Sequence, residues 1–316
     1  MVSAGFAWAQ APAAPRDKLL LVTNLFDDTL SVFRLTAPTG AVNAKTIPTG
    51  KRPTEVYVRP DGNRAYVSNS ADASVTVVDL ASLDVIATIT DPRMKNPDGM
   101  AATPDSKKLY LVDQEADRIF VVSTETNKVV KELPAGHEPR RVVFSPDGGT
   151  IYVSNEGGGI SVLRASDDQL VATRKVGRGP RAMAFTPDGK TMLVGVIDDD
   201  AIAFVNTATG EIENTIGGVG NSPQRVVVAP NGQSALVVSR VTHTLHLVDL
   251  AEGHRRALRK LQVGQFPMGL ELSDPPNYAY VAVSGENKIA IVDLRTLDVL
   301  RVIPTGKNPL TVAVRR

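Results

Sequence analysis

Residues 50–90 contain four short runs of apolar residues, separated by residues typical of turns. The runs Thr54–Val58, Ala65–Ser68, Val75–Val78 and Val85–Ile89 are rich in β-branched residues, and Pro, Gly, Asn and Asp occupy the bends between them. This pattern predicts a four-stranded antiparallel meander. Because both faces of the sheet are apolar, it must stack on similar sheets.

The same unit recurs along the chain with a nearly constant period. A proline precedes the first, inner strand of a unit, and successive prolines are 41 to 44 residues apart. These anchor prolines are Pro53, Pro97, Pro139, Pro180, Pro223, Pro267 and Pro309. Most units also carry a turn seven residues after the anchor, such as Pro60-Asp61-Gly62. Seven anchors predict seven units. Positions below are counted from the anchor, so that +1 is the residue after it.

The units at the two ends complement each other. The first unit supplies a second strand at Leu21–Asn24 without an inner strand before it, and residues 309–314 have the inner-strand pattern alone. We therefore expect the last strand to complete the first unit. The sequence predicts one all-β domain over residues 15–316, a closed β-propeller of seven four-stranded blades.

The pattern PDGxxxYVSN, preceded by GxxP and followed by VxVVD, resembles the YVTN-type seven-bladed β-propeller repeat family. The likeness covers residues 15–316 and implies the closed-ring fold. The motif residues are turn and packing residues, so they carry little functional information. The resemblance implies an exported or surface-associated protein, since many members are of this kind and have no assigned reaction.

Composition excludes several classes of function. Lys and Arg total 35 against 34 Asp and Glu, so no bulk charge attracts nucleic acid or a membrane surface. The absence of cysteine excludes disulfides, thiolate metal sites, a cysteine nucleophile and covalently attached haem. No segment of the repeat is long and apolar enough to span a bilayer. We expect a monomer without a cofactor.

Residues 1–14 lie outside the repeat and are small and apolar, with Ala7-Trp8-Ala9 followed by Gln10. They resemble the end of a secretory signal peptide, although no Lys or Arg precedes Arg16. One interpretation is a signal-peptide remnant, which predicts a periplasmic or secreted protein. The other is a disordered tail rich in Ala and Pro.

The segments that lead into the inner strands should ring one mouth of the central channel, because successive hairpins point to opposite faces. Residues at +3 and +5 are apolar and are expected to pack between blades, whereas +2 and +4 are mixed. The charged residues predicted to face the channel are Glu55, Arg141, Arg225 and Glu271, with Asp98, Arg140 and Arg181 on the rim. Four arginines suit a carboxylate or phosphate ligand. The alternative is that the two glutamates neutralise the two inner arginines in a water-filled channel.

His137 is the histidine expected at the channel mouth. With Glu138 or Glu55 it has the chemistry of a general base, and the alternative is an exposed loop histidine.

The remaining metal-ligand residue types give no metal site. His243 and His246 are three residues apart near one strand, so their side chains point to opposite faces, and His254 is assigned to an outer strand. Asp198–Asp200 lacks the ligand spacing of a calcium loop and is expected to be a solvated loop.

Three functions follow from these residues. The first is an exported binding module whose channel-mouth face takes a small anionic ligand or a periplasmic protein partner. The second is a lactone hydrolase similar to 6-phosphogluconolactonase-like propellers, with His137 as base, Glu55 or Glu138 as second acid or base, and two arginines holding the developing carboxylate. The third is an accessory protein of a periplasmic quinoprotein or cytochrome system.

Overall fold

A computed structural model describes residues 17–36 and 39–315, so the predicted N-terminal tail lies outside the described residues. The described residues form 28 β-strands and one short 3-10 helix, Ser284–Glu286. The strands make seven four-stranded antiparallel sheets. This confirms the predicted all-β fold of seven blades. Within the described residues, no helix has the length and apolar character needed to cross a membrane.

The strands of each blade run in order from the central axis to the periphery. Their bounds are, for blade 1, Pro309–Arg315, Leu19–Asn24, Thr29–Thr36 and Gly40–Pro48; for blade 2, Pro53–Val58, Arg64–Asn69, Ser74–Asp79 and Val85–Thr90; for blade 3, Pro97–Ala102, Lys108–Asp113, Arg118–Ser123 and Lys128–Pro134; for blade 4, Pro139–Phe144, Thr150–Asn155, Gly159–Arg164 and Gln169–Arg174; for blade 5, Pro180–Phe185, Thr191–Val196, Ala201–Asn206 and Ile212–Ile216; for blade 6, Pro223–Val228, Ser234–Ser239, Thr244–Asp249 and Arg256–Gln262; and for blade 7, Pro267–Leu272, Tyr278–Val283, Lys288–Asp293 and Asp298–Pro304.

The C-terminal strand closes the ring. Pro309–Arg315 pairs antiparallel with Leu19–Asn24, which places Ala313 opposite Leu21. The same strand contacts the inner strands of blades 2 and 7, and the seven inner strands form one closed series of neighbours around the axis. The predicted closure is therefore confirmed.

The hydrophobic core lies between the blades. Each of seven clusters of buried side chains combines two neighbouring blades. At the junction of blades 7 and 1, for example, Leu20 and Phe33 pack in one cluster with Tyr280 and Ile291. The +3 residues of all seven inner strands are buried, as predicted. Each blade thus covers the apolar face of the next.

The Pro-Asp-Gly turns join the inner strands to the second strands. In blade 2, the Gly62 N–H donates to the Arg59 carbonyl oxygen at 2.8 Å, and Gly62 has a φ of 68°, in the left-handed region that favours glycine. The tight turns predicted from the sequence are therefore present.

Side chains at the channel-mouth face tie neighbouring blades together. At five of the seven blade junctions, the residue before a third strand accepts a hydrogen bond from the backbone N–H that precedes the anchor proline of the next blade. These interblade latches are Asp28 to Arg52, Asp117 to Glu138, Asp200 to Ser222, His243 to Phe266 and Asn287 to Asn308, at 2.8 to 3.0 Å. They fix the lead-in segments from which the channel mouth is built.

One local prediction is wrong. His254 lies in a turn, with its N–H bonded to the Ala251 carbonyl oxygen at 2.9 Å, and the outer strand of blade 6 begins only at Arg256. The third strand ends in register at Asp249, but the turn that follows, with Gly253 at a φ of 78°, is one residue longer than in blade 2 and delays the outer strand.

Candidate functional site

A charged layer crosses the central channel. It consists of Glu55, Arg141 and Arg225. The Glu55 carboxylate accepts hydrogen bonds from Arg141 and, at 2.7 Å, from Arg225. These residues belong to blades 2, 4 and 6, which are not neighbours in the ring, so their ion pairs span the axis. Glu55 is only 6% exposed, and the arginine side chains are 12% and 18% exposed. The charges are therefore largely removed from water but paired.

The electrostatics of this layer keep the carboxylate ionised. Burial would raise the pKa of Glu55, but the charges and hydrogen bonds of Arg141 and Arg225 outweigh it and hold the pKa below its usual value. For Arg225, burial and the charge of Arg141 outweigh the attraction of Glu55, so its pKa is lowered. Burial would also lower the pKa of Arg141, but the charges of Glu55 and Asp98 raise it above its usual value, so the carboxylate compensates Arg141 more fully than Arg225.

A cavity of about 190 Å³, the mouth cavity, lies above this layer. All seven +1 residues line it, and in the order of blades 1 to 7 they are Leu310, Thr54, Asp98, Arg140, Arg181, Gln224 and Met268. Leu25, Arg52, Arg141 and Thr311 complete its wall. The mouth therefore receives one residue from every blade.

A bulge at the start of each inner strand explains this ring. In blade 2, Pro53 pairs with Asn69 and Glu55 with Ser68, so that Thr54 is the extra residue, and the pairing of every other blade is irregular at the same place. A β-bulge re-aims a side chain that simple alternation would send elsewhere. As a result, +1 residues line the mouth while +2 residues such as Glu55 reach the layer beneath it.

Glu156 bridges the two arginines of the rim. Its carboxylate accepts from Arg140 Nε at 2.6 Å and from Arg181 Nη1 at 2.8 Å. Arg140 also donates to Gln114 Oε1 at 2.7 Å and to Asp98 Oδ2 at 3.4 Å. The rim residues predicted from the sequence thus come together in one network.

Close backbone packing sets this network in place. A Cβ atom at Gly99 would lie 2.9 Å from Arg141 Cα, so only glycine lets the inner strands of blades 3 and 4 approach this closely.

Positive charge exceeds negative charge around the axis. The two groups are five arginines, Arg52, Arg140, Arg141, Arg181 and Arg225, and four carboxylates, Glu55, Asp98, Glu156 and Glu271. Burial, together with the charges of Arg140 and Arg141, lowers the pKa of Arg181 despite the nearby Glu156. The part of this shift that comes from Arg140 and Arg141 is charge repulsion, which a bound anion would offset.

Beneath the charged layer lies a second cavity of about 480 Å³, the channel cavity. Its wall is mainly apolar and includes Tyr57, Phe144, Met183 and Val314. Arg141 lines both cavities, so the ion pairs of the charged layer stand between them.

Glu271, the fourth residue predicted to face the channel, lines the channel cavity. Its carboxylate accepts from the Leu272 N–H at 3.1 Å and acts electrostatically on Arg225. The alternative predicted that the two glutamates neutralise the inner arginines. Glu55 does so through its ion pairs with Arg141 and Arg225. Glu271 contributes through its electrostatic interaction with Arg225.

His137 and Glu138 lie outside both cavities. The His137 ring is 69% exposed, and its Nδ1 is 3.2 Å from Asp117 Oδ2. The Glu138 N–H donates to the other carboxylate oxygen of Asp117 at 2.9 Å. The structure therefore places these two residues in an interblade latch and does not bring them to Glu55.

Among residues 17–36 and 39–315, no group of three or more His, Cys, Asp or Glu side chains is placed to hold a metal ion. Asp199 accepts from the Arg178 backbone and side chain at 2.7 Å, and Asp200 belongs to an interblade latch. His243 accepts from the Phe266 N–H, whereas His246 is buried beside Thr244. These side chains serve the packing of the blades.

Two family models match the chain. The model described as "Lactonase, 7-bladed beta-propeller" matches residues 10–169, and the "Cytochrome D1 heme domain" model matches residues 104–314. Each match covers at least half of the 316 residues. The chain belongs to the seven-bladed β-propeller family that these models describe.

Two curated proteins are similar to parts of this propeller. The uncharacterized protein YncE of Salmonella typhi is 29% identical over 93 residues, and the seven-bladed β-propeller protein Rv1057 of Mycobacterium tuberculosis is 29% identical over 120 residues. These alignments cover 29% and 37% of the chain. They span only 26% of YncE and 30% of Rv1057.

Solved structures share the architecture over most of the propeller. A Lactobacillus plantarum protein has a TM-score of 0.82 at 17% identity, covering 94% of this chain and 99% of its own. A putative 6-phosphogluconolactonase from Bacteroides fragilis has a TM-score of 0.79 at 16% identity, covering 96% and 99%. Kuenenia stuttgartiensis hydrazine synthase has a TM-score of 0.74 at 22% identity, covering 82% and 88%. At these identities the likeness shows the fold.

The match to a haem domain implies a haem, but the residues of this propeller do not fit one. Histidine and cysteine are common axial ligands of haem iron. The chain has no cysteine, and none of its four histidines lines the mouth or the channel cavity. Met268 lines the mouth and Tyr57 lines the channel cavity. The ion pairs of Glu156 with Arg140 and Arg181 occupy the mouth, and the ion pairs of Glu55 separate the two cavities. The accessory role in a cytochrome system stays a hypothesis.

Sequence reasoning missed several residues of the mouth. Arg52, Gln224, Met268 and Leu310 stand at −1 or +1, and the sequence analysis considered +1 only where it was charged. Glu156 and Gln114 each directly follow a second strand, on the face where the mouth was expected. These residues could have been found from their positions in the repeat, which are −1 and +1 for the first group and the residue after the second strand for Glu156 and Gln114.

Proposed function

We propose that this propeller is a binding module that takes a small anion, a carboxylate or a phosphate, in its mouth cavity. The observation that carries the proposal is the surplus of arginine charge around the axis, five guanidinium groups against four carboxylates. Buried arginines bind planar anions well because two N–H groups of one fork reach two oxygens at once.

The arginines of the mouth retain donors for such a ligand. Of the five N–H groups of a guanidinium, Arg181 uses one in its described hydrogen bond to Glu156. The exposed side chain of Arg52 has no ion pair among the described residues and also lines the mouth cavity. An anion bound by Arg181 would offset the repulsion from Arg140 and Arg141, which together with burial lowers the pKa of Arg181.

Isothermal titration calorimetry at fixed ionic strength tests the proposal, because surface charge effects vary with salt. The ligands are acetate, gluconate and inorganic phosphate. We expect wild-type protein to bind at least one of them and Arg181→Gln to bind it at least about tenfold more weakly, the loss of one charged hydrogen bond. Arg178→Gln is the matched control, since Arg178 lies on the same face, is 76% exposed and lines neither cavity.

Two results would contradict the proposal. One is that the folded wild-type protein binds none of the anions. The other is that Arg178→Gln loses as much affinity as Arg181→Gln, because binding would then reflect the general charge of the face.

We propose lactone hydrolysis as a second function, which the lactonase family match supports. Water would add to the lactone carbonyl, the ring ester bond would break, and the product would be a hydroxy acid whose carboxylate suits the arginines of the mouth. His137 is the base expected from the sequence, although it lies outside both cavities. A panel of lactones tests this with His137→Ala and, as control, His254→Ala. Absence of turnover by the folded wild-type protein would refute it.

We also propose that the protein acts outside the cytoplasm, because its first residues resemble a signal peptide. Fractionation of the cells that make the protein naturally, with detection by an antibody against the propeller, is the test. We expect the protein in the periplasmic or secreted fraction. Retention of all the protein in the cytoplasm would contradict the proposal.

A further inference from the structure

The wall of the mouth cavity has a cationic side and an apolar side. In a ring of seven, blade 1 lies opposite the junction of blades 4 and 5. That junction supplies Arg140 and Arg181, whereas blade 1 supplies Leu25 and Leu310, and the adjoining blade 7 supplies Met268. The two chemistries therefore face each other across one small cavity of about 190 Å³.

The apolar side is held in place by backbone hydrogen bonds. The Leu25 N–H donates to the Asn308 carbonyl oxygen at 3.1 Å, next to the anchor that precedes Leu310. Leu25 is 8% exposed, while Leu310 and Met268 are half-buried and keep apolar surface open to the cavity. This surface is available to an apolar group of a ligand.

Exposed apolar residues continue the same side outward on the channel-mouth face. Phe26, which follows Leu25, is 64% exposed, and Phe266, two residues before Met268, is 41% exposed. The Phe266 ring packs edge to face against His243, with centroids 4.9 Å apart, and Arg240 lies over it at 5.6 Å. Blades 7 and 1 thus present apolar surface from the cavity to the rim.

We infer that the ligand of the mouth cavity is an amphipathic acid, whose carboxylate is bound by Arg140 and Arg181 and whose apolar arm lies on Leu310, Met268 and Leu25. This inference rests on the proposed function as an anion-binding module and names its ligand class. A free carboxylic acid with a short alkyl or aromatic arm and the C-terminus of a peptide that ends in an apolar residue share this chemistry.

A series of linear carboxylates tests the inference by calorimetry at fixed ionic strength. The ligands are acetate, butyrate, hexanoate and octanoate, with hexanol as the uncharged counterpart of hexanoate. Burial of one methylene group raises affinity about fourfold. We expect affinity to rise by about this factor per methylene until the arm outgrows the cavity, and hexanol to bind far more weakly than hexanoate.

Variants separate the two sides of the cavity. Leu310→Thr and Met268→Gln should flatten the dependence on chain length, so that the ratio of hexanoate affinity to acetate affinity falls. Arg181→Gln should weaken every carboxylate by a similar factor. Val241→Thr is the matched control, because Val241 is 55% exposed and lines neither cavity. A thermal melt of each variant verifies that it is folded.

The outcomes distinguish this inference from the function on which it rests. If all carboxylates bind equally and Arg181→Gln weakens them all, the apolar arm is refuted and the anion-binding function stands. If hexanol binds as tightly as hexanoate, the inference is refuted because the arginines take no part. If no carboxylate binds, the inference is refuted; binding of phosphate or gluconate would then still support the anion-binding function.

A peptide distinguishes the two sources of the ligand. A pentapeptide that ends in leucine is titrated as the free acid and as the C-terminal amide. If the free-acid peptide binds more tightly than hexanoate and the amide does not, the result supports the inference with a peptide terminus as ligand. If the free-acid peptide binds more weakly than hexanoate, the result supports the inference with a small free acid as ligand. Equal binding of the free-acid peptide and the amide refutes the inference for peptides.

Discussion

Glu55 is the residue on which the charged layer depends. It is the carboxylate that pairs with both Arg141 and Arg225, and water has little access to the group. Removal of one partner from a buried ion pair costs more than the pair contributes, because the other charge is left without compensation.

We expect Glu55→Gln to lower the free energy of unfolding by about 3 kcal/mol, since two buried guanidinium groups lose their shared carboxylate. Urea denaturation measures the loss. Glu138→Gln is the control, because Glu138 lies outside both cavities and should change stability by less than about 0.5 kcal/mol. Equal stability of Glu55→Gln and wild type would show that water compensates the charges.

Acid should also act through Glu55. The pKa of Glu55 is lowered in the folded protein, so its stabilisation is present above the unfolded value near 4.5 and is lost as pH falls through the folded value. Below pH 4.5 the wild-type protein should therefore lose more stability than Glu55→Gln. Parallel losses in the two proteins, followed by urea denaturation between pH 6 and pH 3, would contradict this.

His246 predicts a second pH dependence, in a different range. Burial, assisted by the charge of Lys260, lowers the pKa of His246 to about 4, so the stability contributed by its neutral ring is complete above about pH 6.5 and is lost as pH falls towards 4. We expect wild-type protein to lose about 2 kcal/mol between pH 7 and pH 5 and His246→Gln to lose much less. His254→Gln is the control and should behave as wild type, because His254 lies in a turn. Urea denaturation at pH 7 and at pH 5 measures the stability of each protein.

At the scale of residues, the sequence predicted much of the site but not all of it. Alternation along an extended strand predicted that the +2 residues Glu55, Arg141 and Arg225 face the channel, and the structure shows them in contact there. The same alternation could not predict Met268 or Leu310 in the mouth, because the bulge that turns +1 residues inward depends on the pairing with the second strand.

Among the elements, the interblade latches link the loop before the third strand to the lead-in segment of the next blade at five junctions. In the turn at Asp198–Asp200, the three side chains make different contacts. Asp199 holds Arg178 of its own blade, Asp200 holds Ser222 of the next blade, and Asp198 has no described side-chain hydrogen bond.

Substitutions in this turn should therefore differ by position. We expect Asp200→Ala to lower the free energy of unfolding by about 1.5 kcal/mol, because it removes a charged acceptor from a backbone N–H. Asp200→Asn should be nearly neutral, since Asn287 makes the same latch between blades 7 and 1. Asp198→Ala should also be nearly neutral, and millimolar calcium should leave the melting temperature unchanged. Equal losses for Asp198→Ala and Asp200→Ala in urea denaturation would argue against the latch.

The elements also show where the repeat pattern is insufficient. The period predicted every strand, yet all seven blades contain a register shift between the third and outer strands that the sequence analysis did not foresee. Outer strands are polar and largely exposed, so their residues carry little information on register.

The whole molecule is closed by strands from opposite ends of the chain. Beyond the sheet pairing, Thr311 Oγ1 lies 3.0 Å from Thr23 Oγ1 and donates to the Thr54 carbonyl oxygen at 3.1 Å, which joins blade 1 to blade 2. This closure followed from counting repeats, because an unpaired inner strand and an incomplete first blade complement each other.

A circular permutant tests the closure. The variant begins at Asn63, joins Arg315 to Asp17 through a Pro-Asp-Gly linker and ends at Asp61, so that blade 2 is now the one closed by both ends. We expect a single cooperative unfolding transition, as for wild type, because every strand keeps its partners. Deletion of residues 309–316 is the matched control and should abolish that transition by leaving two blade faces uncovered. Cooperative unfolding of the deletion, followed by circular dichroism, would show that the ring does not need its last strand.

The layer formed by Glu55, Arg141 and Arg225 also divides the central channel. Because these three side chains meet across the axis, their ion pairs stand between the mouth cavity and the channel cavity. A ligand in the mouth cavity would have to separate these ion pairs to move deeper along the axis, so we expect it to enter and leave through the channel mouth.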